Sequence, residues 1–262
     1  MAQRMKPDLK GKAGIITGAG AGMGREIALR LASDGAKVIL ADINYESVCK
    51  TRDEISEMGG QATAVQADVC IEDDVERVTD ACMDACSKID FLVSNAGVVG
   101  PHDFEETSAD EWDRVFAVNA KGGFLCAKHS LSHMKRKKSG RIIFTASTNG
   151  AKPGAYVIAY RASKAALIML ARSLALHAAP FGITVNAVCP GVTMTPLHRS
   201  LAEGLIKSEG LSYEEYVEER KNRIPLGRFT GVGDIADIME FLLSDNAGFI
   251  TGQSIFVNGG EW

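Results

Sequence analysis

Short apolar runs alternate along this chain with longer stretches whose apolar positions recur every three or four residues. The runs "AGIIT" (13–17), "AKVILAD" (36–42), "QATAVQADV" (61–69), "IDFLVSNAG" (89–97), "GRIIFTAS" (140–147), "GITVNAVCPG" (182–191) and "QSIFVNGG" (253–260) predict seven strands. Several are continuously apolar, which suits strands covered on both faces, as in a parallel sheet. The stretches near 22–33, 44–58, 71–86, 107–136, 156–178 and 231–244 predict amphipathic helices between them. Strand–helix alternation with right-handed crossovers predicts an α/β architecture, a doubly wound parallel sheet with helices on both faces. No repeat, low-complexity tract or linker divides the sequence, so a single domain is expected over 1–262.

The rhythm breaks once. Between the sixth and seventh strands lie two helical patterns instead of one, and the first, 195–225, is polar and charged. It follows the carboxyl end of a strand, where open α/β sheets bind ligands. It is read as a small helical lid over substrate, ahead of a merely decorative surface helix pair.

Composition narrows the function. The 262 residues are 46% hydrophobic and 24% charged, enough for a sizeable core. A formal net charge of −4 argues against a nucleic-acid or anionic-membrane binder. The one basic run, Lys135 to Lys138, ends a predicted helix, where cations are favourable. Six cysteines are scattered without a framework, and neither Cys82/Cys86 nor His129/His133 has the further ligands a structural zinc site needs, so no metal is expected. Free thiols suit a reducing cytoplasm, the expected location. The N-terminal residues show no apolar signal-peptide core, and no run approaches the ~18 residues of a membrane span.

Two clusters carry candidate chemistry. "TGAGAGMG" (17–24) follows the first strand and opens the first helix. A glycine turn there lets backbone approach a pyrophosphate at a helix N-terminus. The second strand ends at Asp42, 18 residues beyond Gly24, where a carboxylate can bond the adenosine ribose hydroxyls. It would face the 2′-phosphate of NADP as a like charge, and the next residue, Ile43, offers no cation, so NAD is the expected cofactor. A simple N-cap of the next helix is the other reading of Asp42. The second cluster, "YRASK" (160–164), places Tyr160 and Lys164 one helical turn apart on one face. The spacing alone does not separate a solvated pair from a proton-transfer pair.

The whole set of motifs resembles the short-chain dehydrogenase/reductase family over nearly the full chain. The resemblance rests on "TGAGAGMG", Asp68 in "ADV", "SNAG" (94–97), Asn119 in "VNAKG", Ser147 in "TAST", "YRASK", "CPGVTMT" (189–195) and "FITGQSIFVNGG", in that order. It implies a Rossmann-like sheet and hydride transfer between NAD and a secondary alcohol or its ketone. Tyr160 would be the general acid/base, Lys164 would bond the nicotinamide ribose and lower the tyrosine pKa, Ser147 would hold the substrate oxygen, and Asn119 would interrupt its helix and organise a water leading from Lys164 to solvent. The implied cofactor contacts are Gly18, Gly22, Met23, Gly24, Asp42, Ile43, Asp68, Val69, Asn95, Ala96, Gly97, Tyr160, Lys164, Pro190, Val192 and Thr195. A cation ~4 Å from the phenol at an effective dielectric of 20 would lower its pKa by roughly 3 units, toward 7.

Three positions depart from the family's pattern. Ser94 stands for the first asparagine of N-N-A-G, Asn258 for a frequent aspartate, and Arg161 for a small residue after the tyrosine. Arg161 is assigned to a subunit contact ahead of an anionic substrate, because it points about 100° from Tyr160 around the helix. The substrate wall is expected from Val99, His102, Ser147, Asn149, Tyr156, Tyr160, Met194, Leu197 and the lid. It suits a polyol, sugar derivative, cyclic or steroid-like alcohol. A 3-oxoacyl-thioester reductase of the same family and a non-catalytic NAD-sensing protein are the alternatives. The family also implies a homotetramer, with a dimer second.

Overall fold

The apolar runs become seven strands: β1 (Ala13–Thr17), β2 (Lys37–Asp42), β3 (Gln61–Gln66), β4 (Phe91–Ser94), β5 (Gly140–Thr145), β6 (Ile183–Pro190) and β7 (Ser254–Val257). They pair in parallel throughout, in the order β3-β2-β1-β4-β5-β6-β7. The computed structural model describes residues 9–100 and 103–262. The helices are α1 (Gly22–Ser33), α2 (Tyr45–Glu57), α3 (Glu72–Cys86), α4 (Ala109–Phe116), α5 (Gly122–Lys137), α6 (Ile158–Ala178), α7 (Pro196–Glu209), α8 (Tyr213–Asn222) and α9 (Val232–Leu243).

Alternate residues of each central strand feed two separate cores. Ile15, Ile39, Leu92, Ile142, Phe144 and Val185 join one core, to which α3, α5 and α6 add Val78, Cys126, Leu167 and Ala171. Ile16, Leu40, Val93, Ile143 and Val188 join the other, with Ile27 and Leu31 of α1 and Ile235 and Met239 of α9. A strand feeding two cores reads as a continuous apolar run because successive side chains point to opposite faces. Each fully buried Leu, Ile or Phe contributes about 1.5–3 kcal/mol of transfer free energy. The edge strand β3 alternates between exposed and half-covered positions, as a strand with one free side should.

The strand order reverses between β1 and β4, so the loops after these strands diverge and leave a crevice at their carboxyl ends. Among the strands that stop earlier than their apolar runs predict, β3 and β4 build this crevice. β3 ends at Gln66, after which Asp68 donates its N–H to Asp74 and accepts one from Cys70. β4 ends at Ser94 because the N–H groups of Asn95 and Ala96 turn to the Thr17 hydroxyl, at 3.0 and 3.1 Å.

The long helix predicted over 107–136 is broken by a π-turn at Ala117–Lys121, with α4 before it and α5 after. Asn119, inside the turn, accepts from the N–H of Val98 (2.8 Å) and donates to the Val98 carbonyl and the Ser163 hydroxyl (both 2.9 Å). Such a bulge re-aims a side chain at little cost in packing. The polar segment 195–225 forms the pair α7 and α8, ended and restarted at Gly210 and Ser212. An isolated bridge between Thr193 and Thr230 ties its two ends together.

Candidate active site

The glycine turn lies between β1 and α1. Gly18 has φ +65°, and a Cβ there would sit 2.9 Å from the Ala96 Cα. A Cβ on Gly24 would fall 2.0 Å from the Gly18 carbonyl oxygen, so only glycine permits the helix to start this close to the strand. No side chain caps α1 and its first turn has no acidic residue. Its leading N–H groups and partial positive charge are therefore open to an anion.

The Asp42 carboxylate reaches this turn from the end of β2. It accepts from the N–H of Gly20 and of Asn44, each at 2.9 Å. The helix cap next to it is Asn44, not Asp42, because the Asn44 side chain accepts from Ser47. Arg25, the cation directly after the glycine turn, is paired with Glu54. Asn95 donates to the carbonyls of Thr17 and Gly18 and leaves its buried Oδ1 without a partner. An orphaned acceptor beside a tight glycine turn fits the expected dinucleotide, whose ribose hydroxyls are donors.

The remaining expected contacts border the same crevice. Ile43 is exposed next to Asp42, Asp68 and Val69 follow β3, and Ala96 and Gly97 follow β4. A Cβ on Gly97 would sit 3.2 Å from Asn119 Oδ1 and 3.3 Å from Lys164 Nζ, which places the loop after β4 against these two residues. Pro190 ends β6 and Val192 follows it, and both border a cavity of about 300 Å³ together with Met23 and Thr195. Thr195 also accepts from the N–H of His198 and so caps α7.

Tyr160 and Lys164 stand on the first turns of α6, both buried. Lys164 donates to the Thr145 carbonyl (2.8 Å), and its Nζ lies 5.6 Å from the centroid of the Tyr160 ring. Ser147 starts the short turn after β5, accepts from Asn149 N–H at 3.1 Å, and acts on the Tyr160 phenol by lowering its pKa. Ser163 ties the group together. Its hydroxyl accepts from Asn119 and donates to the Tyr160 carbonyl at 2.8 Å. The Asn119 side chain is thus spent on Val98 and Ser163, so it positions the loop and the helix.

The electrostatics differ from the expectation of a phenol near 7. Burial raises the Tyr160 pKa, and hydrogen bonding from Ser147 and the charge of Arg161 offset this only in part. Burial also pushes Lys164 down to about 8. A low-dielectric site penalises both the phenolate and the ammonium, and proximity alone does not cancel that penalty.

The cavity floor holds Ser147, Asn149 and Tyr160, and its walls include Val99, Tyr156 and Leu197. Met194 is not part of this wall and its side chain is 44% exposed. His102 lies outside the described residues. Further lining comes from α8, with Tyr216, Glu219 and Arg220, from Arg223 just past its end, and from His198 of α7. His198 is held neutral, its pKa pushed down to about 4 by burial and by the charge of Arg220. Its Nε2 lies 3.3 Å from the Tyr216 hydroxyl, which joins α7 to α8.

Arg161, expected at a subunit contact ahead of an anionic substrate, borders the cavity. It is half-buried in the cavity wall, with its guanidinium donating to the carbonyls of Tyr156 (2.9 Å) and Lys152 (2.8 Å). The loop over 152–157 wraps across that side of α6, so a residue one position from Tyr160 still faces the cavity. The angle around the helix did not reveal this, because the covering loop precedes the helix in sequence. Thr17, Ser163 and Thr145 were also missed as anchors; their signals are contacts to backbone far along the chain.

The sequence matches the profile described as enoyl-(acyl carrier protein) reductase over residues 18–261. A short-chain dehydrogenase/reductase of Armillaria gallica is 37% identical over 255 residues, 96% of each chain. This chain belongs to the short-chain dehydrogenase/reductase family. Two solved relatives share its fold closely. NAD+-bound xylitol dehydrogenase superposes with a TM-score of 0.91 at 32% identity, covering 96% of this chain and 99% of its own. A 3-ketoacyl-(acyl-carrier-protein) reductase of Brucella melitensis, complexed with NADH, has a TM-score of 0.87 at 31% identity, covering 97% and 99%. The protein is an oxidoreductase of this family, and among its described residues no helix is long and apolar enough to cross a membrane.

Proposed function

We propose that this oxidoreductase interconverts a secondary alcohol and its ketone, with Tyr160 as the general acid/base. The observation that carries the reading is the buried Tyr160 phenol beside Ser147, in a cavity that Met23 of the glycine turn also borders. The cofactor is NAD, consistent with Asp42 at the turn, the engaged Arg25 and the dinucleotides in the two solved relatives. When bound, NAD supplies the hydride acceptor. In oxidation the Tyr160 phenolate takes the hydroxyl proton as the carbonyl forms, and the carbinol hydrogen leaves with its bonding pair. In reduction Tyr160 returns the proton to the oxygen. Ser147 holds that oxygen, and Lys164, fixed by the Thr145 carbonyl, places its charge beside the ring and the nicotinamide ribose.

The substrate class proposed is a polyol, sugar derivative, cyclic or steroid-like alcohol, because the cavity mixes apolar walls with polar groups. The second reading, a 3-oxoacyl-thioester reductase, is favoured by the Brucella relative. That enzyme was solved with NADH, so cofactor choice does not separate the two. Absorbance of NADH does, when followed across a panel of secondary alcohols and 3-hydroxyacyl thioesters. Turnover of alcohols supports the first reading, and thioesters alone would replace it with the second. Silence across the panel would support a non-catalytic, NAD-sensing protein.

With this activity goes a homotetramer, a dimer being second, in a reducing cytoplasm that keeps the six free thiols reduced. Phe124 on α5 and Met169 and Leu176 on α6 expose large apolar surface, 81% for Leu176, which a neighbouring subunit would cover. Light scattering is expected to report four subunits; a monomer would remove the proposal.

A further inference from the structure

The cavity carries more positive charge than it neutralises. Four cations border it, Lys152, Arg161, Arg220 and Arg223, with two carboxylates, Glu219 and Glu261. Each carboxylate has its own partner. Glu261 lies 3.9 Å from Lys152, and Glu219 pairs with Arg223. Among the described residues, no carboxylate forms an ion pair with Arg161 or Arg220. Arg161 is half-buried and gives two of its bonds to loop carbonyls. Arg220 lies with its guanidinium 5.7 Å from the centroid of the Tyr216 ring, and its Nε is buried with no hydrogen-bond partner. The two guanidiniums also repel one another, which together with burial makes Arg161 less ready to hold its proton. His198, neutral beside them, supplies no counter-charge.

Two guanidiniums without a carboxylate partner border one cavity, and one of them has a buried Nε with no hydrogen-bond partner. Burying such donors unpaired is costly, and a ligand oxyanion would satisfy them with charge-assisted bonds. We propose that the substrate carries an anionic group, a carboxylate or phosphate monoester, which Arg161 and Arg220 bind while Tyr160 addresses the hydroxyl-bearing carbon at the other end. The proposal rests on the dehydrogenase reading only in assigning Tyr160 to the reacting end. Arg161 then has two linked tasks. It pins the 152–156 loop, and it shares the anion with a residue of α8. The anion would hold α8 in place over the cavity, which gives the expected lid a reason to close.

The test separates binding from turnover. Cyclohexanecarboxylate, cyclohexyl phosphate and neutral cyclohexanecarboxamide are titrated calorimetrically into the enzyme, free and saturated with NADH. At least one of the two anions is expected to bind about tenfold or more tightly than the amide. The carboxylate and phosphate arms show which oxyanion the site prefers. Arg220→Gln is expected to remove the preference, and Arg220→Lys to retain part of it. In the turnover arm, 4-hydroxycyclohexanecarboxylate is compared with its amide, and the advantage of the acid is expected in KM more than in kcat. Equal binding of anions and amide overturns the proposal, as does an anion preference that survives Arg220→Gln in a folded variant. A preference that depends on Arg220, with no alcohol oxidised, would leave the anion site standing and remove the dehydrogenase reading alone.

Discussion

Tyr160→Phe is expected to lower kcat for alcohol oxidation by about 10²–10⁴-fold while NAD still binds, since general acid/base groups contribute on that scale. The substitution deletes one oxygen and keeps a ring of the same shape, so the packing of Tyr160 against Val115 and Val157 survives. Single-turnover absorbance and a titration of NAD by protein fluorescence check the two halves separately. Retained turnover would remove Tyr160 from the chemistry. The pH dependence follows from the same group. Burial raises the phenol's pKa and the base is the phenolate, so oxidation should speed up as pH rises into the alkaline range. Ketone reduction needs the protonated phenol and should run the other way. Bound NAD, with its positive ring, pulls the phenol down, so the profile of kcat should lie at lower pH than that of kcat/KM.

The second large effect concerns Asp42. Two like charges about 4 Å apart cost on the order of 4 kcal/mol at an effective dielectric of 20. The carboxylate sits at a partly open edge, so screening reduces this, and a preference for NAD over NADP of at least about tenfold in kcat/KM is the expected result. Asp42→Asn should narrow the preference, because it removes the charge; its single carbonyl oxygen still accepts from one of the N–H groups of Gly20 and Asn44, which the two carboxylate oxygens of Asp42 hold separately. NADP used faster than NAD by the unaltered enzyme would overturn the assignment. So would a preference unchanged in Asp42→Asn.

The positions of both residues were legible, but only the signal of Asp42 is local. The Tyr–Lys pair one turn apart took its reading from the ordered set of motifs along the chain, whereas a glycine turn after a buried strand and an acid at the next strand's end need only a few neighbouring residues to be recognised. The same holds for the seven strands and most helices, whose apolar periodicity records which faces are covered. The breaks were less legible. "QATAVQADV" and "IDFLVSNAG" read as longer strands than β3 and β4, because apolar content does not reveal that Asp74 and Thr17 capture the following backbone N–H groups.

What the sequence by itself determined is the architecture and the set of residues proposed to react. Periodicity sets which surfaces are buried, and a turn or helical spacing sets which side chains share a face. What only the tertiary structure decided is how those groups are charged and where the odd residue goes. The Tyr160 pKa depends on the depth of burial, which outweighs the help from Ser147 and Arg161. Arg161 faces the cavity because a loop wraps over its helix, and it meets Arg220 from a helix nearly sixty residues away. Burial and charge–charge distance are properties of the folded chain in three dimensions, and no local pattern of residues encodes them.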